Sequence, residues 1–145
     1  MLGDLTGDEI EQLLRREAIG RIGCSAEGRI YVVPIMYAYD GECIYAHSAD
    51  GLKIRTMRAN PSVCFEVEQI IDPAHWSSVI AWGTYEELSG ADEDRAGTLL
   101  VARFGPMATS ATALKRPRIR GVAQEASRTT LFRLRLSKKT GRFER

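Results

Sequence analysis

One segment, Arg29 to Tyr39, limits the possible folds more than any other part of the chain. Its apolar residues alternate onto two faces, and neither face is polar. One face carries Tyr31, Val33, Ile35 and Tyr37, and the other carries Ile30, Val32, Met36 and Ala38. A strand that is apolar on both faces has to be covered on both sides. The segment therefore predicts a barrel wall that is covered by a helix or by a second subunit, and it favours a homodimer.

Period-two alternation and turn residues extend this pattern along the chain. Gly28 and the pair Asp40-Gly41 predict the turns on either side of the segment. Six strands are predicted, at 21–25, 29–39, 42–47, 62–68, 75–88 and 130–136. Gly83 inside the fifth strand predicts a bulge or a close approach by another backbone or ligand. Strands and helices do not alternate, so we expect an antiparallel barrel rather than a doubly wound sheet.

Helical spacing predicts two or three helices that flank this barrel. Thr6 and Glu9 match a capping box at the start of the first helix. Ser48 and Asp50 are placed to cap a second helix at 51–59, and a third begins near Ser89. The basic tail, residues 137–145, is expected to fray.

The composition excludes several classes of function. The chain has 145 residues, 44% of them hydrophobic, and a formal net charge of +1. We therefore predict no binding to nucleic acid and no membrane segment, and any anion site must be local. The three cysteines are an odd number within apolar runs, which favours reduced structural thiols, a cytoplasmic location and no metal site.

The segment from His47 to Lys53 is the place where the sequence points to ligand chemistry. It joins the third strand to a helix start, where unpaired N–H groups and the positive end of the helix dipole attract anions. Ser48 adds a hydroxyl, Gly51 permits close approach, and Lys53 adds a cation in the first turn. These features predict a phosphate site. The alternative is an ordinary helix cap followed by a solvated basic helix.

Several segments in one order resemble the pyridoxamine 5′-phosphate oxidase-like FMN-binding split-barrel family. The main ones are 20–35, with Gly20-Arg21-Ile22-Gly23-Cys24 and Val32-Val33-Pro34-Ile35, then 44–53 and 58–65. The strand 76–83 and the ending 132–142 resemble the branch related to nitroimidazole-resistance reductases. The resemblance is good over residues 5–88 and is absent from 90–127. No role is predicted for 107–127.

The resemblance implies a mainly β (β+α) fold, a six-stranded antiparallel split β-barrel with two or three flanking helices, in a single domain over residues 1–145. It also implies FMN at the interface of a homodimer. The flavin ring would lie along Val33, Pro34, Ile35 and Met36. The phosphate would be held around His47, Ser48, Gly51 and Lys53. Ser78, Val79 and Trp82 would approach the cofactor, either from the same chain or from the second subunit.

The chain departs from the family pattern at two places. Many relatives carry two adjacent cations at the start of the cationic helix, whereas here Leu52 precedes Lys53. We expect weaker FMN binding, unless Arg55 or Arg58 compensates. The second strand also lacks the basic residues of true pyridoxamine phosphate oxidases, so vitamin B6 oxidation is not expected.

The resulting hypothesis is an FMN-dependent oxidoreductase that reduces a small electrophile such as a nitroaromatic, with NAD(P)H as a candidate donor. The alternative is a flavin carrier, sensor or store on the same fold, and a third option is a deazaflavin or haem in the same groove.

Trp82 is open to two interpretations, core or dimer packing and flavin contact. The shared strand face of Glu66 and Glu68 favours a solvated surface over an acid–base pair.

Overall fold

The computed structural model describes residues 1–105 and 129–145. These residues form eight strands and three helices. In chain order they are β1 (Leu2–Asp4), α1 (Gly7–Arg16), β2 (Ile19–Ala26), β3 (Arg29–Met36), β4 (Ala38–Tyr39), β5 (Cys43–Ala49), α2 (Leu52–Ala59), β6 (Ser62–Asp72), β7 (His75–Glu87), α3 (Gly90–Phe104) and β8 (Thr129–Glu144).

All the strands belong to one antiparallel sheet. Its order is β3-β2-β6-β7-β8-β5-β4, and β1 pairs with β8. The two ends of this order, β3 and β4, are consecutive in the chain and are separated by Tyr37 alone. The sheet therefore curves round on itself and is split between β3 and β4, which confirms the predicted split barrel with flanking helices.

Two short strands raise the number from the predicted six to eight. The predicted 29–39 strand is divided at Tyr37, whose backbone N–H donates to the Ala18 carbonyl at 3.1 Å, next to the Ile19–Met36 pair. The following residues, Ala38 and Tyr39, leave β2 and pair with β5 instead. β1 lies in a polar N-terminal segment without alternation, and it exists because β8 offers it an edge. The class of fold is as predicted, and only the number of strands differs.

The predicted frayed tail is wrong. β8 continues to Glu144 and pairs with β7 from Phe132 to its end. Lys139 illustrates the reason, because its ammonium group donates to the Glu11 carboxylate and to the Tyr39 hydroxyl. Side-chain partners on α1 and β4 thus fix a segment that looks like a solvated basic tail in the sequence. β6 is likewise longer than predicted and ends at Asp72.

One side of the sheet forms the core. Tyr37, Phe65 and Phe132 are fully buried there, and Leu13 and Leu14 of α1 pack into the same cluster. The capping box at the start of α1 is confirmed, because Thr6 and Glu9 each accept a hydrogen bond from the backbone N–H of the other. No helix among the described residues has both the length and the apolar character needed to cross a bilayer.

The other side of β3 is exposed. Ile30, Val32 and Met36 point away from the core and are 80%, 62% and 48% exposed, respectively. Ala38, which was predicted to share this face, is buried. None of the three helices in the described ranges covers this face of β3.

Gly83 lies at a bulge, as the sequence predicts. The β7–β8 register shifts between Trp82 and Gly83, and Ser137 has no partner in the ladder. The Ser137 hydroxyl donates to the Trp82 carbonyl at 3.1 Å. A Cβ atom on Gly83 would lie 2.3 Å from the Arg135 carbonyl oxygen, so only glycine fits without a backbone shift.

We predict that Gly83→Ala lowers the free energy of unfolding by about 2 kcal/mol, because the added methyl group forces two paired strands apart. Urea denaturation measures this change. Gly7→Ala is the matched control, since a Cβ at Gly7 meets no atom within 4 Å. Equal stability of the two variants would mean that the strand approach at Gly83 is not constrained.

Candidate anion site and outer sheet face

The predicted phosphate site lies where β5 ends and α2 begins. Gly51 is the N-cap residue of α2, and no side chain caps this helix start. Ser48 and Asp50 do not cap it, contrary to the sequence prediction. The Ser48 hydroxyl bonds instead to the Ala49 carbonyl and to Lys53. The backbone N–H groups of the first turn therefore have no side-chain acceptor.

Lys53 is a half-buried cation at this helix start. Its Nζ donates to Ser48 Oγ at 2.9 Å, and no carboxylate within the described ranges pairs with it. Burial lowers the pKa of Lys53, and the nearby Cys24 thiol opposes this change only in part. A cation that has lost water and gained only a hydroxyl is poorly compensated. The corner is therefore chemically suited to an anion.

The two arginines of α2 differ in their availability. Arg58 binds Glu87 at 2.8 Å and Asp50 at 3.2 Å, so its charge is already matched. Arg55 is exposed on the helix surface. The predicted compensation for Leu52 by Arg58 is therefore not supported by the position of this side chain. His47 lies half-buried on β5, close to the corner.

The four predicted ring contacts on β3 are divided between two faces of the sheet. Pro34 and Met36 are exposed on the outer side. Val33 is partly buried against the core and Ile35 is buried in it, so these two can offer only backbone groups to a ligand on the outer side.

The predicted contacts on β7 are divided in the same way. Ser78 and Trp82 lie on the outer side, whereas the Val79 side chain is fully buried in the core. Val79 therefore also has only its backbone to offer. Trp82 is 40% exposed, and the Lys138 ammonium lies 5.5 Å from its ring centroid. This contact is a cation–π interaction.

The exposed apolar side chains of β2, β3 and β7 lie on one side of the sheet. We call it the outer sheet face, and it comprises Ile19, Ile30, Val32, Met36, Ile80 and Trp82. Two strands, β2 and β6, separate β3 from β7. The β3 and β7 backbones are therefore about 14 Å apart across the sheet, given a strand spacing of about 4.8 Å. One flavin ring cannot bridge both within one chain.

A group of polar side chains that the sequence prediction missed lies in the middle of this face. Glu66 is half-buried and accepts a hydrogen bond from the Ser78 hydroxyl at 3.0 Å. Arg21 lies 3.2 Å from Glu68 and 3.7 Å from Glu66. Burial, reinforced by the neighbouring Glu68, raises the pKa of Glu66. The predicted solvated position is wrong for Glu66, because alternation places a side chain on a face without showing how crowded the face is.

We predict that Glu66→Gln stabilises the fold at pH 7 and is neutral at pH 4. The folded state holds the Glu66 proton above the ordinary pKa of 4.5, so stability is lost as the pH rises through the raised folded value. Glutamine mimics the protonated form and removes that loss. Urea denaturation of both proteins at the two pH values measures the difference. The assignment would be contradicted if the difference in free energy of unfolding between Glu66→Gln and the native chain were less favourable to the variant at pH 7 than at pH 4.

A family model described as pyridoxamine 5′-phosphate oxidase matches residues 6–143. An uncharacterised protein of Rhizobium meliloti (strain 1021) is 32% identical over 84 residues. That alignment covers 58% of this chain and 56% of the relative, so the chain spans little more than half the length of this curated relative.

Solved structures share the whole architecture. A FAD-binding protein from Mesorhizobium loti is 29% identical, with a TM-score of 0.78 over 100% of this chain and 99% of its own. A candidate 5-nitroimidazole antibiotic resistance protein from Bacteroides thetaiotaomicron is 17% identical. Its TM-score is 0.72, over 99% of this chain and 87% of its own, and this likeness shows the fold alone. The resemblance drawn from the sequence is confirmed by the family model.

Proposed function

The chain belongs to the pyridoxamine 5′-phosphate oxidase family, and we propose that it is an FMN-binding oxidoreductase that works as a homodimer on a small electrophile. The observation that carries the proposal is the half-buried Lys53 ammonium, which has a hydroxyl partner and no carboxylate partner among the described residues. A flavin phosphate would provide the missing anion. The 29% identical protein that is described as FAD-binding supports a flavin in particular.

The phosphate would be held by a small set of groups at the β5–α2 corner. Lys53 would supply the charge, Ser48 a hydroxyl, and the uncapped helix start at Gly51 its backbone N–H groups. His47 is next to Ser48 on β5, but alternation along the strand places its side chain on the opposite face, so we assign it no phosphate contact. Because Leu52 lies where many relatives carry a second cation, the affinity for the phosphate would depend mainly on Lys53.

The flavin ring would lie against the outer side of β3, next to Pro34 and Met36. Ser78 and Trp82 of the same chain are too far across the sheet to contact that ring, so we assign their contacts to the second subunit. A twofold axis through the outer sheet face would bring β7 of one subunit to β3 of the other. Bound flavin would supply the electron transfer, and the protein would bind and orient it.

The proposed dimer has a direct test. Val32→Glu should convert the protein to a monomer at micromolar concentration, because a carboxylate would have to be buried without a partner. Sedimentation velocity measures the change. The matched control is Val101→Glu, since Val101 on α3 is exposed to 52% and Val32 to 62%. A native chain that sediments as a monomer would exclude the dimer.

The role of the corner is tested by Lys53→Ala. We predict that it weakens FMN binding by about 1–3 kcal/mol, the usual value of a charge-assisted hydrogen bond. Quenching of flavin fluorescence in a titration measures the affinity. Arg16→Ala is the control, because it removes an exposed arginine charge from a different helix, α1. An affinity unchanged by Lys53→Ala would remove Lys53 from the site.

The reaction is tested separately from binding. The purified protein should carry a flavin spectrum, and NADH or NADPH should drive the reduction of nitroaromatics or quinones. A flavin spectrum without turnover would instead support a carrier, sensor or store. A colourless protein that FMN cannot reconstitute would exclude both, and a copurifying deazaflavin or haem would be identified by mass spectrometry.

A further inference from the structure

A hollow lies on the outer side of the sheet, at the end of the β6–β7 hairpin. Its volume is about 350 Å³. It is lined by Glu68, Ile70, Pro73, Trp76, Ser77 and Ser78. The hairpin register gives the hollow two chemically different ends, because Ile70 is paired with Trp76 and Glu68 with Ser78. One end is therefore apolar and aromatic, and the other carries a carboxylate and a hydroxyl.

The polar end offers hydrogen-bond acceptors. The Ser78 hydroxyl already donates to Glu66 at 3.0 Å, so only its oxygen lone pairs remain for a ligand. Glu68 shares the Arg21 guanidinium with Glu66, at 3.2 Å and 3.7 Å. Two carboxylates thus compete for one cation, and the local charge is negative whenever both are ionised. A ligand that fits this end has to donate hydrogen bonds and carry positive charge.

The apolar end is suited to a ring. Trp76 is half-buried and Ile70 is 62% exposed, so a planar molecule lying over this pair would cover apolar surface that is now in water. An indole also attracts a cation to its face. A volume of about 350 Å³ lies within the range of small-molecule sites.

The geometry points to a binding site in this hollow for a small aromatic amine, or for another aromatic cation. The ring packs against Trp76 and Ile70, and the ammonium group donates to Glu68 and Ser78. Carboxylates, phosphates and nitro groups offer only acceptors and are excluded from the polar end. The hollow contains no residue of the β5–α2 corner, so this proposal does not depend on phosphate binding there.

Three probes of similar size separate the possibilities. Phenethylamine, phenethyl alcohol and 3-phenylpropionate differ in the polar group and share the ring. We expect the amine to bind about tenfold more tightly than the alcohol, and the acid not to bind. Titrations of the flavin-free protein, followed by ¹H–¹⁵N NMR, should shift the Trp76 indole signal and the backbone signals of residues 68–78. Repeating them on flavin-loaded protein shows whether Ser78 is shared with the cofactor.

Two variants assign the interactions. Glu68→Gln should reduce amine affinity to that of the alcohol and leave alcohol affinity unchanged. Glu27→Gln, in the exposed β2–β3 turn at the opposite end of these strands, removes the same charge and should change neither. Trp76→Leu should weaken the amine and the alcohol alike.

The NMR spectra of these variants also report whether each one folds. Failure of all three probes to bind, equal binding of the acid and the amine, or amine affinity unchanged in Glu68→Gln would overturn the proposal. None of these outcomes depends on whether FMN binds.

Discussion

The Lys53 ammonium group is half-buried, and the described chain gives it one hydroxyl and no carboxylate. Such a cation costs free energy, because water has been removed and no anion replaces it. The position of Lys53 is fixed by its helix, since Ile54 and Met57 of the same helix are fully buried in the core. The helix therefore cannot rotate to return Lys53 to water without exposing these side chains. Packing of the core thus keeps an ammonium group at the helix start that has no anionic partner among the described residues.

The second constraint is that apolar side chains are buried on one side of the sheet and exposed on the other. The inner side closes a core around Tyr37 and Phe65, while the outer sheet face keeps large apolar side chains in water. Exposed apolar surface on this scale is typical of interaction sites. The distance across β2 and β6 then separates the β3 contacts from those on β7. A second subunit is the simplest way to bring both groups to one cofactor.

Features that depend on neighbouring residues in the chain could be predicted. The Thr6–Glu9 capping box, the turn at Gly28 and the bulge at Gly83 were all visible, because each reflects local backbone geometry. The alternation of the 29–39 segment also correctly placed Tyr31, Val33, Ile35 and Tyr37 on one face, and the structure shows that this face is the core side. Its break at Tyr37 was not visible, since it depends on the pairing of Ala38 and Tyr39 with β5 rather than with β2.

Features that depend on distant residues could not be predicted. β1 and the second half of β8 exist because each finds a partner strand far away in sequence. At the candidate site, Ser48 and Lys53 were identified correctly as neighbours. The matching of Arg58 by Asp50 and Glu87, and the crowding of Glu66 by Arg21, Glu68 and Ser78, arise only when separate elements meet. The segment 107–127, whose role the sequence leaves open, lies outside the described residues.

The most direct measurement compares two ligands that differ only in the phosphate. FMN and riboflavin share the ring and the ribityl chain, so the ratio of their affinities isolates the anion. For the native chain we predict that FMN binds at least about tenfold more tightly than riboflavin, and that Lys53→Ala removes this preference. Equal affinities for the two ligands in the native chain would show that the β5–α2 corner does not hold a phosphate.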